Sequence, residues 1–172
     1  STIKIENFSL SININEIIKE FILTKREISE TNNNSANANK ELPLTVAHAG
    51  GEVDSYFYSN SMEALYSNLE DFHYFEIDFL MTSDNRPIGL HDWNDVFKGY
   101  FGFTPKKPLT YDEIISTEME NNFNIITLRR LETFLGQNPN TYIIPDTKAK
   151  TLDILRIILE DIPKAEEKII PQ

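Results

Sequence analysis

Short apolar runs alternate along most of this chain with polar segments whose apolar residues recur at helical spacing. "LPLTVA" (42–47), "YFEIDFLM" (74–81), "RPIGL" (86–90) and "TYIIP" (141–145) read as strands. "KIIPQ" (168–172) reads as the start of a fifth. Between them, "SMEALYSNLEDF" (61–72) predicts a helix with Ser61 at its N-cap and Met62, Ala64 and Leu65 in its core face. "TYDEIISTE" (110–118) and "TLRRLETFLG" (127–136) predict short helices, the second closed by Gly136, and "TLDILRIILEDI" (151–162) predicts a longer one. Strands and helices in alternation argue for a parallel α/β architecture.

The first 41 residues follow another pattern. Ile14, Ile17, Ile18, Phe21 and Ile22 line one face of an amphipathic helix within residues 1–30. Packing of this helix on the domain is favoured over a partner-binding or membrane-surface role. Residues 31–41 are rich in asparagine, lack large apolar side chains, and read as a linker. Residues 42–172 then form one α/β domain. They number about 130 and stop on a strand, whereas a (β/α)8 barrel takes roughly 250. A TIM-type barrel is therefore expected here as one truncated after about its fifth strand.

Composition narrows the chemistry. A formal net charge of −11 disfavours nucleic acid and anionic lipid surfaces as partners. It says less about a small anionic substrate, because a bound cation reverses the local field. The absence of cysteine excludes disulfides, thiolate metal sites and cysteine nucleophiles. No run approaches the roughly 18 apolar residues of a membrane span. No signal peptide is visible, and a chain beginning at Ser1 leaves a lost leader, localisation and oligomeric state open.

Polar residues then cluster where the apolar runs end. His48 closes the first, and His91 and Asp92 follow the third in "GLHDW". Glu76 and Asp78 are two apart, so their side chains leave one face of a strand while Phe75, Ile77 and Phe79 leave the other. Asp146 and Lys148 follow the fourth run with the same spacing. Taken singly, a strand-end histidine is more often structural than catalytic, and paired acids read equally as a solvated pair or as part of a site. His73 is assigned no role. Together, at the shared mouth of a parallel barrel, two histidines, three carboxylates and a lysine would meet. Three close carboxylates repel unless a cation lies between them, and an all-oxygen set favours a hard ion such as Mg²⁺ or Ca²⁺. Such an ion and Lys148 could each hold a phosphate oxygen, with the histidines as general base and acid.

The segments "AHAGG" (47–51), "NSMEAL" (60–65), "FEIDFLMTSDNRPIGLHDW" (75–93) and "IIPDTK" (143–148) resemble the glycerophosphodiester phosphodiesterase family among the phospholipase-C-like barrels. The resemblance covers roughly three quarters of the chain, from Leu42 onward. It implies a metal-dependent barrel enzyme that cleaves glycerophosphodiesters to glycerol 3-phosphate and an alcohol. It also implies a route through attack by the neighbouring glycerol hydroxyl and a cyclic phosphate. On this resemblance His48 and His91 match the acid–base pair, and Glu76, Asp78 and Asp146 match the ligands of a Ca²⁺ or Mg²⁺ ion. Lys148, Asn60 and Trp93 match the substrate side of the site, Asn60 orienting a neighbour or the substrate itself. Two departures stand out: Ala49 replaces the arginine of many members, and Asp146 replaces a glutamate. The alternatives are a phospholipase-D-like or phosphoinositide-cleaving relative, and a truncated, inactive fragment.

Overall fold

A computed structural model describes residues 45–171. The amphipathic helix expected around 14–22, the 31–41 linker and the start of "LPLTVA" lie outside the described residues. Among those described, no helix is long and apolar enough to cross a membrane.

Among the described residues, four strands form one mixed sheet. In chain order the elements are β1 (Val46–Ala47), α1 (Met62–Ser67), β2 (Tyr74–Met81), β3 (Pro87–Gly89), α2 (Asp95–Phe101), α3 (Tyr111–Ser116), α4 (Leu128–Gln137), β4 (Tyr142–Asp146), α5 (Thr151–Asp161) and α6 (Ala165–Lys168). The long β2 is central, with β1 and β4 parallel to it on either side. Ile169 makes a single parallel bridge to Ile143 of β4, where the fifth strand is expected. The parallel α/β reading thus holds for β1, β2 and β4, and the sheet is open within the described residues.

One expectation is corrected. The third apolar run pairs with β2 antiparallel, Phe79 opposite Gly89 and Met81 opposite Pro87. The reason lies in the connection: Thr82 to Arg86 is far too short for a parallel crossover, which needs about a dozen residues, but suits a hairpin. Thr82 Oγ1 locks this turn by accepting from Arg86 N at 2.9 Å and donating to Arg86 O at 3.0 Å. Asp84 Oδ1 accepts from Tyr111 N at 2.9 Å, tying the turn to the start of α3. Gly89 is required by close approach, since a Cβ there would lie 2.7 Å from Ile126 Cβ and 3.2 Å from Asn60 O.

Helix ends follow local chemistry. Ser61 Oγ accepts from Ala64 N as the N-cap of α1, and Thr110 and Glu113 form a capping box on α3. Gly136 does not close α4 as expected; the helix continues through Gln137, and Asn138 Nδ2 donates to Phe134 O at 2.8 Å at its end. On β2, Phe75, Ile77 and Phe79 are buried on the face opposite Glu76 and Asp78, with Phe75 edge-on to Phe134 of α4. A second apolar cluster joins Ile88 and Leu90 to Phe97, Tyr100, Ile114, Met119, Phe123 and Ile125. It fixes the hairpin and α2 beside the strand ends.

Candidate functional site

Register brings the acids together. Asp78 and Asp146 stand opposite each other in the parallel β2–β4 pair, where adjacent strands run about 4.8 Å apart. Glu76 leaves the same face of β2 two residues earlier. One carboxylate oxygen from each of Glu76, Asp78 and Asp146 lies within 4.8 Å of the other two. Glu76 is 7% exposed and Asp78 4%, so neither acid can spread its charge into water.

The surroundings hold each acid in place. Glu76 Oε2 accepts from Ala49 N at 2.7 Å. Ala49 presents that N–H because the chain turns through left-handed φ values at Ala49 (+51°), Gly50 (+84°) and Gly51 (+95°). Asn60, fully buried, grips Asp78 twice: its Nδ2 donates to Asp78 Oδ2 at 2.9 Å and its Oδ1 accepts from Asp78 N at 3.0 Å. Burial pushes the Glu76 carboxyl above its ordinary range and the Ala49 N–H opposes this. The charges of Asp78 and Asp146 add to the rise, while His48 counters it.

The histidines arrive by different routes. His48 follows β1 directly, and its Nε2 lies 3.5 Å from Glu76 Oε2. His91 follows β3; because that strand runs back along β2, Leu90 N donates to Asp78 O at 2.9 Å, and the next residue lies beside the acids' end of the sheet. His91 Nδ1 pairs with Asp92 Oδ2 at 2.9 Å, and its Nε2 meets Lys148 Nζ. A lysine ammonium can only donate, so this network assigns Nδ1–H to the Asp92 carboxylate and the free pair of Nε2 to Lys148. Burial alone would raise Asp92, but hydrogen bonds from His91 and from the backbone N–H of Asn94 and Val96 outweigh it and hold the carboxyl below its usual range. Trp93 packs its ring on Phe97, centroids 5.4 Å apart, as part of the apolar cluster.

The structure therefore brings Glu76, Asp78 and Asp146 together with His48 at their edge and Asn60 behind. It links His91 to Lys148 and Asp92. The Trp93 contacts are with the core. Sequence reasoning missed two contributors: the backbone N–H of Ala49, and Tyr58, whose ring stands edge-on to His48 with centroids 5.0 Å apart. The run "YFY" (56–58) so close to "HAGG" was the available signal.

No protein-family model matches the chain, and no curated protein does. Solved structures do. A glycerophosphoryl diester phosphodiesterase from Parabacteroides distasonis superposes with a TM-score of 0.63 at 23% identity, over 78% of this chain and 48% of that one. The α/β fold is that of the glycerophosphodiester phosphodiesterases. Two further structures assigned to that activity agree, from Galdieria sulphuraria (TM-score 0.59, 14% identity, 74% of this chain and 55% of that) and Silicibacter pomeroyi (0.56, 14%, 72% and 54%). The chain spans about half the length of these phosphodiesterases.

The three acids fit a divalent ion by their donor set. All three donors are oxygens and two of the three residues are buried; burial is the main cause of the rise at Glu76, and the like charges of Asp78 and Asp146 add to it.

Proposed function

We propose that this site belongs to a metal-dependent phosphodiesterase that hydrolyses glycerophosphodiesters to glycerol 3-phosphate and an alcohol. The observation that carries the reading is the convergence of three carboxylates from two parallel strands, with His48 Nε2 at 3.5 Å from one of them. The shared fold supports it. Glu76, Asp78 and Asp146 hold a divalent ion, Ca²⁺ or Mg²⁺. When bound, that ion supplies charge stabilisation to the phosphoryl oxygens and acidifies an attacking hydroxyl.

The chain's own groups do the rest. The Ala49 N–H and Asn60 fix the carboxylates in advance, so the site need not reorganise on binding. Of the two histidines, one takes the proton of the attacking hydroxyl as the new P–O bond forms. The other returns a proton to the departing alkoxide as the old P–O bond breaks, and water then opens the resulting cyclic phosphate to glycerol 3-phosphate by the same proton exchange in reverse. Asp92 keeps His91 in the tautomer that leaves Nε2 available, and Lys148 moves between that nitrogen and a phosphate oxygen. Asn60 orients a metal ligand, and Trp93 borders the substrate beyond Asp92. The parallel strands β1, β2 and β4 are the first part of a (β/α)8 barrel whose strand ends form the mouth, and the β2–β3 hairpin is an addition to it.

The test is release of glycerol 3-phosphate from glycerophosphocholine and glycerophosphoethanolamine, by this chain and by the longer polypeptide a closed barrel requires. Release that depends on the ion supports the reading. A stable cyclic phosphate as the end product would instead indicate a lyase-type relative.

A further inference from the structure

We propose that Tyr58 is a positioning residue for His48, its ring holding the imidazole against Glu76. The consequence for turnover rests on the acid–base reading of His48 above; the contact itself does not.

His48 needs such a support. Its side chain is 61% exposed, and the 3.5 Å approach to Glu76 is too long for a strong hydrogen bond. Glu76 Oε2 is already engaged by Ala49 N at 2.7 Å. An exposed imidazole held this loosely would sample several rotamers. The Tyr58 ring stands perpendicular to it, at 89° and 5.0 Å between centroids, the edge-to-face arrangement that aromatic quadrupoles favour.

Tyr58 is itself held there at some conformational cost. Its φ is +62°, a left-handed value that bulky residues seldom adopt and keep only when their surroundings enforce it. The enforcement is visible on both sides. Val53 and Tyr56 exchange backbone hydrogen bonds of 3.0 and 2.8 Å. Phe57 O accepts from the Tyr100 hydroxyl of α2, and Asn60 N donates to Ala49 O at 3.2 Å. The loop thus begins and ends on the residue next to His48. Core packing does not account for the ring: Tyr56 turns inward against Tyr100 and Phe123, whereas Tyr58 stays 48% exposed with its ring on His48.

The experiment compares the 172-residue chain with Tyr58→Phe and Tyr58→Ala. The carbon-bound ring protons of its three histidines are read by NMR, and turnover of glycerophosphocholine is measured with a divalent ion present. Tyr58→Ala should remove the ring-current displacement from the His48 signals and leave those of His91 and Trp93 in place, the latter reporting an intact fold. Tyr58→Phe should leave His48 as in the parent. In turnover, Tyr58→Ala should lower kcat by about tenfold or more with KM little changed, and Tyr58→Phe should restore it. His48 signals that do not move in Tyr58→Ala, or that move equally in Tyr58→Phe, would overturn the proposal, as would equal kcat for Tyr58→Ala and the parent. Absence of turnover in the parent itself counts against the proposed function, and the His48 spectra still decide the contact.

Discussion

At the scale of single residues, burial raises the Glu76 carboxyl, the Ala49 N–H and His48 restrain it, and the Asp78 and Asp146 charges push it further. Because the folded protein then holds the Glu76 proton more tightly than the unfolded chain, this group favours folding at low pH. That contribution is lost as pH rises through the raised folded value. Metal-free Glu76→Gln is therefore expected to melt above the parent at neutral pH, the gap closing below about pH 4. Thermal melts in chelator across that range check it, and a lower melting temperature at neutral pH would contradict the electrostatic description. His91→Ala should cost roughly 10²–10⁴-fold in kcat while leaving ion-induced stabilisation intact. Asp92→Asn should cost less, since it disturbs the imidazole's tautomer without removing the ring. Steady-state kinetics beside thermal melts separate the two effects. The candidate side chains were legible in the sequence because strand alternation alone puts Glu76 and Asp78 on one face. The Ala49 N–H was not, since a backbone donor leaves no mark on side-chain identity.

At the scale of elements, the β2–β3 hairpin determines where His91 goes. The apolar content of "RPIGL" revealed a strand but not its direction, which the five-residue connection dictates through the crossover rule. Gly136 misled for a related reason: glycine ends helices only where the chain turns left-handed, and the chain at Gly136 continues as helix. Asn60 couples several elements at once. Its side chain binds Asp78 of β2, its N–H reaches Ala49 O, and its own carbonyl accepts from Ile126 N at 3.2 Å. Asn60→Ala leaves a buried carboxylate oxygen short of a donor, and about 2 kcal/mol or more of stability should go with it. Urea denaturation measures this, and a loss under about 0.5 kcal/mol, the level of an ordinary surface change, would refute the clamp. Gly89→Ala should be destabilising as well, because the new Cβ collides with Ile126 and with the Asn60 backbone.

At the scale of the whole molecule, a mixed sheet collects acids from its parallel strands β2 and β4 where His48 and the end of β3 also arrive. Strand and helix alternation made the α/β class readable from sequence. The pairing of β4 directly with β2 was not readable, because order within a sheet depends on contacts distant in sequence. An ion bound only by the folded state stabilises it by about 2.7 kcal/mol at a hundredfold excess over Kd. Ca²⁺ or Mg²⁺ should accordingly raise the melting temperature of the parent and not that of a Glu76→Gln, Asp78→Asn double variant. The most direct measurement is glycerol 3-phosphate release from glycerophosphocholine with Ca²⁺, with Mg²⁺ and with chelator, for the parent, His48→Ala and His91→Ala. The expected result is release that requires the ion and collapses in both histidine variants; release that survives chelator, or survives both substitutions unchanged, would contradict the proposed site.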